Sequence, residues 1–498
     1  MDNQRRIKLV TGALLLSNIM AGMDGTIVNT ALPAITSDLH GLQYMGWIVA
    51  TFLCGLAVAT PLWSKMGEHK GNKQAYISAT SLFLIGAIFQ ANAPNIIWFI
   101  IARTVMGIGA SGMNTIPFIV YAELYPNRRK RAKILGIASA GFGTASIVGP
   151  LLGGWIVDTW SWHWVFYVNV PIAIITITLV SIFYQNPPKQ AAGKPVDYLG
   201  AVLLVVSLIT ILAAVQMIGS TSTLVVLCLA VIGLILLAGM VKVDNKAEDP
   251  IIPNRLFTNR ELMIDFILFV IIWASFIAFS TYVPMWAQGI LGASAFLGGI
   301  TQIPGAVTSF ISSEMVPSLH EHVGKYWVVT IGAGSIFISF LGILICGQST
   351  PFWLFCAMGA FEGVGVGLVF NVLQISVQTD AEMRDIPIAT SLGYLLRSLS
   401  QTLMSAVYGV ILNQELFKGV SASHGDITMR MLNKLSNAET ANQLPSRLVP
   451  PMRKILFIGY RNIVIAAIIL IVISLLIVVP MSFQRQESAM PQEYNSNK

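Results

Sequence analysis

Charged residues are scarce in this sequence. Of its 498 residues, 11% are charged and 55% are hydrophobic. Soluble globular proteins carry roughly 25% charged residues, and a soluble chain as apolar as this one would expose large hydrophobic patches. The composition therefore argues against a soluble protein and favours one that crosses a membrane many times.

Cysteine is also scarce, and several functional motifs are missing. The four cysteines lie singly in apolar runs, without a CxxC pair or a metal-ligand spacing. We therefore expect packed free thiols and no metal site. The sequence contains no GxxxxGK[ST] loop, which argues against ATP-driven transport by this chain. It also contains no nucleophile elbow, and we expect neither enzymatic activity nor a bound cofactor.

Long apolar runs make up most of the chain. A membrane-spanning helix needs about 20 mostly apolar residues, and a helix satisfies its backbone N–H and C=O groups internally. The alternating ten-residue segments typical of a membrane barrel are absent from the sequence. The sequence predicts fourteen spans, near residues 8–31, 44–64, 75–93, 96–120, 133–157, 163–184, 197–217, 222–242, 262–286, 294–317, 326–347, 351–376, 387–412 and 458–481. Because no small-residue cleavage site interrupts the first run before Asp24, we expect the first helix to be retained.

The short loops between these spans alternate in charge. Loops such as "WSKMGEHKGNKQ" and "YPNRRKRAK" hold most of the loop Lys and Arg, whereas "TSDLHGLQ" and "ANAPN" hold almost none. The positive-inside rule then predicts that both termini lie in the cytoplasm. The long polar stretch at about 413–457 falls outside, where the rule is weaker because it applies to short loops. The net charge of +7 is thus explained by Lys and Arg residues in loops at the inner membrane face, and we expect no nucleic-acid partner.

A short repeat indicates an internal duplication. "GEHKGNK" (67–73) follows span 2 and "HEHVGKY" (320–326) follows span 10, and both contain Glu-His-x-Gly. This spacing predicts two six-helix bundles, with spans 7 and 8 inserted between them. The corresponding domains are 1–186, 187–258 and 259–498, the last with an extracellular loop at 413–457 and a short cytoplasmic tail.

Five motifs occur in order along the first six spans. They are "MDGTIVNTALP" (Met23–Pro33), "SKMGEHKGNK" (Ser64–Lys73), "RTVMGIGAS" (Arg103–Ser111), "ASIVGPLLGG" (Ala145–Gly154) and "WHWVFYVNVP" (Trp162–Pro171). The chain thereby resembles the major facilitator superfamily, specifically its fourteen-span drug:proton antiporter branch. The four stretches after the span 1 signature match motif A, motif B, motif C and the start of span 6. Departures from the family pattern are Glu68, His69 and Asn72 in motif A, Met106 in motif B, Ala145 in motif C and His163.

The carboxylate of Asp24 interrupts an apolar run. An ionised carboxylate at membrane depth costs about 2.5–3.5 kcal/mol on insertion scales. At 1.5 Å per residue, Asp24 lies roughly 24 Å above the inner start of span 1, and Arg103 lies roughly 10 Å below the outer start of span 4. The family fold implies that both spans face the central cavity. We hypothesise a coupled charge site at which a proton exchanges; the alternative is a static ion pair.

Glu362 and Arg397 are both predicted near the membrane midplane, roughly 15 Å from the starts of spans 12 and 13. Glu362 is a candidate for cation binding or for carrying a second proton, and the alternative is a structural pair with Arg397. Glu314 lies nearer the inner end, where anchoring at the interface is the alternative to substrate binding. The resemblance implies an acidic residue in that helix for export of cations.

Motif C contains small residues at helical spacing. Gly149 and Gly153 lie on one helix face, where small residues permit close helix contact, and Pro150 bends the helix. With Gly154, they predict a flexible contact between bundles that participates in gating. The alternative is an ordinary packing seam.

Motif A combines an acidic residue with basic ones on the inner side. Glu68 and Lys73 are candidates for a charge latch that holds one conformation, and the alternative is charge that only sets topology. Gly71 is expected to permit a tight turn.

A substrate pocket is predicted from residue types alone. Aromatic and Met side chains suit varied apolar cations, although packing in the core or against lipid is the alternative for each residue. The candidates, besides Glu362 and Glu314, are Met113, Asn114, Trp286, Gln302, Asn371 and Tyr394.

The sequence thus predicts an all-α, proton-coupled exporter of hydrophobic or cationic compounds in the cytoplasmic membrane. We expect it to act as a monomer in the lipid bilayer, with protons and small molecules as partners and a proton gradient in place of a cofactor. Export of a lipid, fatty acid or metabolite by the same fold is the alternative. An enzyme or sensor would require a catalytic constellation or a soluble signalling domain, and the sequence contains neither.

Overall fold

Helices account for the regular structure of the described chain. The computed structural model describes residues 3–125, 128–186, 198–218, 221–244, 254–381, 386–423, 425–436 and 438–489. Within these ranges the α-helices are α1 (Asn3–Asp38), α2 (Met45–Lys70), α3 (Asn72–Ala91), α4 (Ile96–Leu124), α5 (Arg128–Thr159), α6 (Trp164–Tyr167), α7 (Asn169–Phe183), α8 (Tyr198–Gln216), α9 (Thr223–Asp244), α10 (Arg260–Gly289), α11 (Ala295–Ile300), α12 (Ile303–Val323), α13 (Lys325–Ile345), α14 (Phe352–Asp380), α15 (Ile386–Ala422), α16 (Met429–Leu435), α17 (Ala438–Ala441) and α18 (Val449–Ala489). Two short 3-10 helices lie at Leu42–Tyr44 and Asn254–Thr258.

The predicted all-α membrane fold is confirmed. Each of the fourteen predicted spans lies on one helix or on a pair of consecutive helices. Among the described residues, 11 helices are long and apolar enough to cross a membrane. The number of fourteen spans and the location of the termini remain predictions. We call the two ends of the molecule inner and outer according to the predicted topology, in which α1 begins at the inner end.

Two of the predicted spans consist of two helices each. Residues 163–184 contain α6 and α7, and the break follows from Pro171, which has no N–H to donate to the carbonyl of Tyr167. Residues 294–317 contain α11 and α12, which are separated by Thr301 and Gln302.

The predicted outer loop at 413–457 is shorter than the sequence suggests. Helix α15 continues to Ala422, and α18 begins at Val449. The prolines at 450 and 451 lie in the first turn of α18, where the missing N–H groups have no intrahelical partner in any case. Polar composition alone therefore placed the end of α15 too early and the start of α18 too late.

The packing forms two groups of helices. In the first, α1 packs against α5 and α7, and α4 packs against α2 and α3. In the second, α10 packs against α11, α15 and α18, and α14 packs against α12 and α13. The division into domains at 186 and 258 remains a prediction.

Of the two helices between these groups, α8 lies at a seam, and α9 packs on α8. Helix α8 contacts both α2 and α15. Leu204, Leu208 and Leu212 of α8 are buried in one apolar cluster with Cys54 of α2 and Ala406 of α15. Helix α8 therefore covers the side of the molecule where the two groups meet.

Candidate functional site

The structure brings Asp24 and Arg103 together inside the first helix group. Arg103 Nη1 donates to Asp24 Oδ2 at 3.0 Å. Relative exposures of 0% for Asp24 and 4% for Arg103 keep water from both groups. The depth estimate from the sequence, which placed these two residues at a similar level although they are far apart in the chain, agrees with this contact. The role of the Asp24–Arg103 pair in proton exchange remains a prediction.

Two further side chains complete this site, and the sequence analysis missed both. Asn169 Nδ2, at the start of α7, donates to Asp24 Oδ1 at 3.3 Å. The guanidinium carbon of Arg103 lies 3.9 Å from the ring centroid of Phe52 on α2, which is a cation–π contact. Asn169 was visible as a polar residue in an apolar run, but Phe52 carried no sequence signal.

The remaining contacts of Arg103 are weak. Its Nη1 lies 4.0 Å from Met106 Sδ, whose other neighbour is Gln90 Nε2 at 2.6 Å. Arg103 Nε has no hydrogen-bond partner within the described chain. The guanidinium therefore depends mainly on the Asp24 carboxylate and the Phe52 ring.

Glu362 is a second buried carboxyl group, on α14. It is 4% exposed, and its Oε1 has no hydrogen-bond partner among the described residues. Helix α14 packs tightly on α12, where a Cβ atom at Gly363 would overlap with the carbonyl oxygen of Gly305. Because an unpaired buried charge is costly, this site favours a proton or a bound cation.

Arg397 does not lie at the level of Glu362. Its guanidinium carbon is 4.5 Å from the Trp273 ring centroid and 5.4 Å from that of Phe370. Phe370 follows Glu362 by two turns, about 12 Å along α14. The two residues that the sequence placed at one depth thus occupy different levels.

The predicted pocket residues are in varied environments. Met113 and Trp286 are buried, and Trp286 contacts the rings of Phe355, Phe457 and Tyr460. Asn114, Gln302 and Asn371 are half-buried, and Glu314 is exposed on α12. The side chain of Tyr394 lies outside the described part of the structure. No single described cavity collects these residues.

Motif C forms the contact between α5 and its neighbours. A Cβ atom at Gly149 would overlap with Thr26 Oγ1, and one at Gly153 would lie 2.6 Å from Ile27 Cγ1, both on α1. A Cβ atom at Gly154 would overlap with Phe296 of α11.

On the opposite side of this contact, the carbonyl oxygen of Pro150 would overlap with a Cβ atom at Gly299 of α11. Small residues are therefore required both within the first group and where α5 meets the second group.

The outer ends of the two groups are joined by hydrogen bonds. The Asp158 carboxylate accepts from the backbone N–H groups of Ala295 at 3.0 Å and Phe296 at 2.8 Å, so it caps α11 from the other group. Gln288 Nε2 donates to the Thr30 carbonyl at 3.1 Å.

Helix α16 adds a further connection at the outer end. Asn433 Oδ1 accepts from the Leu42 backbone N–H at 3.0 Å, and Ser436 Oγ donates to the Pro33 carbonyl at 3.2 Å. The segment that was predicted as an outer loop thus contacts the first helix group.

The inner end of the first group contains a hydrogen-bonded cluster around motif A. Gly71 ends α2 with φ of +95°, and Asn72 Nδ2 donates to Glu123 Oε1 at 2.7 Å. The Tyr184 hydroxyl donates to the same carboxylate. Lys73 contributes its backbone N–H, which donates to Asn186 Oδ1 at 2.9 Å. The Glu68 side chain is outside the described part.

The repeat-related position in the second group is charged. Gly324 has φ of +80° and precedes Lys325, which corresponds to Asn72. Lys325 Nζ lies 2.6 Å from Asp380, 3.2 Å from Glu261 and 3.3 Å from Asp265. This network joins the inner ends of α10, α13 and α14.

The fold and the site define a class: a polytopic α-helical membrane protein with an ion pair in its apolar interior. The family model described as Major Facilitator Superfamily matches residues 14–405. The chain belongs to this superfamily, which confirms the resemblance seen in the motifs. It is a transporter rather than an enzyme, and a multi-pass protein of the cell membrane.

Characterised relatives match over most of their length. Multidrug resistance protein 3 of Bacillus subtilis (strain 168) is 29% identical over 463 residues, which cover 90% of this chain and 89% of the relative. Multidrug transporter protein MdtP of the same organism is 31% identical over 416 residues, with 82% and 76% covered.

Solved structures support the fold. The chain matches a bacterial homolog of the human lysosomal transporter Spinster, in an inward-facing and unoccupied conformation, with a TM-score of 0.67 and 14% identity, covering 98% and 99% of the two chains. A D-xylose–proton symporter matches with a TM-score of 0.60 and 14% identity, covering 87% and 96%. At these identities the likeness shows the fold alone.

Proposed function

We propose that this protein exports hydrophobic and cationic drugs across the cell membrane in exchange for protons. The observation that carries the proposal is the buried ion pair of Asp24 and Arg103. The names of the two Bacillus relatives, both multidrug proteins, support drug substrates. A carboxylate that is retained in the apolar interior at an energetic cost is a functional-site candidate.

In this mechanism, protonation of Asp24 removes the charge that holds Arg103. Breaking a buried ion pair by removing one partner costs about 3–5 kcal/mol. A change of that size is enough to bias an equilibrium between two conformations of the helix groups. Loss of the proton to the inner side restores the pair, so that one cycle moves one proton inward through this site.

Glu362 supplies a second acidic group, in the other helix group. Its buried carboxyl with an unpartnered Oε1 gains a favourable counter-charge when a cationic substrate or a proton arrives. The stacked aromatic rings and methionines of the interior suit apolar cations of varied shape.

The contacts at the outer end serve as the gate. The capping of α11 by Asp158 and the bonds of α16 to the first group hold the outer side closed. Outward release of substrate requires that these bonds break while the close contacts of motif C rearrange.

Transport in energised membrane vesicles tests this function. Wild-type vesicles are expected to accumulate tetraphenylphosphonium, a hydrophobic cation, against its gradient and to release protons when it is added. Asp24→Asn should lose both, whereas Asp426→Asn, which changes an exposed outer carboxylate, should retain both. Uphill accumulation by Asp24→Asn refutes the proton role, and transport of fatty acids but not of drug cations favours the lipid or metabolite alternative.

A further inference from the structure

Asn169 is a buried amide in a helix that is mostly apolar. It is 2% exposed and lies at the first position of α7, next to the break that Pro171 introduces. Its Nδ2 donates to Asp24 Oδ1 at 3.3 Å. A buried amide without partners costs free energy, so the position of Asn169 is tied to the carboxyl group that it faces.

The two oxygens of Asp24 have different partners from different helices. Oδ2 accepts from Arg103 on α4, and Oδ1 accepts from Asn169 on α7. Arginine is only a donor, so it can satisfy the ionised carboxylate but not the O–H of a protonated one. An amide carries both donors and an acceptor, so Asn169 can serve either form after rotation of its side chain.

Other ionisable groups do not compete for this role. Between residues 12 and 37 of α1, Asp24 is the only acidic or basic residue, and Arg103 is the only one between 96 and 122 of α4. Residues 134–157 of α5 and 169–183 of α7 contain none. Helices α2 and α3 contain Cys54 and Tyr76 within their apolar parts, and their charged residues all lie at the inner end, between 65 and 73. Among the described groups, Arg103 is the only charge that contacts Asp24.

We propose that Asn169 is the positioning residue that holds Asp24 in both protonation states and sets the pH at which Asp24 exchanges its proton. The inference rests on the proposed function. In the structure the amide N–H donates to the carboxylate, and a hydrogen bond to the ionised form favours that form. The protonated form is served only after the amide rotates, so Asn169 lowers the proton affinity of Asp24. Loss of the amide should therefore shift proton release to higher pH, by about one unit.

The test measures proton release from purified protein in detergent. Tetraphenylphosphonium is added across a pH series, and a dye reports the protons released. Asn169→Leu, which has a similar volume but no amide, is expected to raise the midpoint of release by about one pH unit. Asn169→Gln keeps an amide and should give a midpoint closer to the wild type. If the Leu variant does not fold, Asn169→Ser provides the same test, because its side chain is too short to reach Asp24.

A matched control separates positioning from stability. Asn18 is another buried amide on α1; it donates to the Met113 carbonyl and accepts from Tyr121, but it does not contact Asp24. Asn18→Leu should reduce thermal stability without moving the midpoint. A midpoint that is unchanged in Asn169→Leu, or that shifts equally in Asn18→Leu, overturns the inference. If Asp24→Asn releases protons like the wild type, the proposed function itself fails.

Discussion

Removal of Arg103 should destabilise the protein more than removal of any exposed basic residue. Arg103→Met keeps a long side chain but leaves Asp24 buried, with one amide partner and no cation. Because neither group is accessible to water, the expected loss is about 3–5 kcal/mol in the free energy of unfolding. A further contribution of about 0.5–2 kcal/mol is lost with the contact to the Phe52 ring.

A double-mutant cycle tests whether this cost arises from the pair. In Arg103→Met with Asp24→Asn, no buried charge remains at this site, so the double variant should be more stable than Arg103→Met alone. Replacing a buried ion pair by well-packed apolar residues often leaves protein stability unchanged or increases it. The measurement is thermal or denaturant unfolding of the purified protein in detergent at pH 8, where the unpaired carboxyl has the strongest tendency to ionise.

The matched control is an exposed ion pair. Lys418 Nζ lies 2.7 Å from Glu415, and the Lys418 side chain is 69% exposed. Lys418→Met should change stability by about 0–1 kcal/mol. If Arg103→Met costs no more than Lys418→Met, or if the effects of Arg103→Met and Asp24→Asn simply add, the reasoning about the buried pair is refuted.

Three other substitutions test the surrounding architecture. Gly363→Val should lower stability by about 1–3 kcal/mol because its Cβ meets the Gly305 carbonyl, whereas Gly334→Ala, with open space around it, should have little effect on the melting temperature. Asp158→Ala removes two hydrogen bonds to the first residues of α11, where capping is worth about 0.5–2 kcal/mol, and should increase labelling of single cysteines placed at the outer end; unchanged labelling would contradict the gate assignment. Lys325→Met leaves Glu261, Asp265 and Asp380 without their shared cation, so its stability should fall more at pH 8 than at pH 5, where protonation relieves the repulsion. A loss that is equal at both pH values argues against that charge network.

Much of the fold is predictable from the sequence because the hydrocarbon core of a membrane strongly restricts which structures can cross it. Apolar run length predicts where the long helices lie, since each backbone polar group in a membrane must be satisfied within a helix. The pairing of Asp24 with Arg103 also follows from depth, because rise per residue fixes the level of each side chain along its span.

Contacts that depend on helix rotation and tilt could not be predicted. Asn169 meets Asp24 only because α7 presents its first residue toward α1, and nothing in the residue pattern specifies that rotation. Depth from helix rise alone suggested one level for Glu362 and Arg397, but it does not account for helix tilt or for the direction in which the long Arg397 side chain extends, toward Trp273 and Phe370. The charge network of Lys325 requires the relative placement of three helices.

The central claim is that Asp24 changes its protonation state during transport. Difference infrared spectroscopy of the purified protein measures this directly, because a protonated carboxyl group has a C=O stretch that a carboxylate lacks. At a pH below the midpoint of proton release, where Asp24 starts protonated, addition of tetraphenylphosphonium should remove such a band in the wild type and in Glu362→Gln, and the change should be absent in Asp24→Asn. An identical band change in Asp24→Asn would contradict the account.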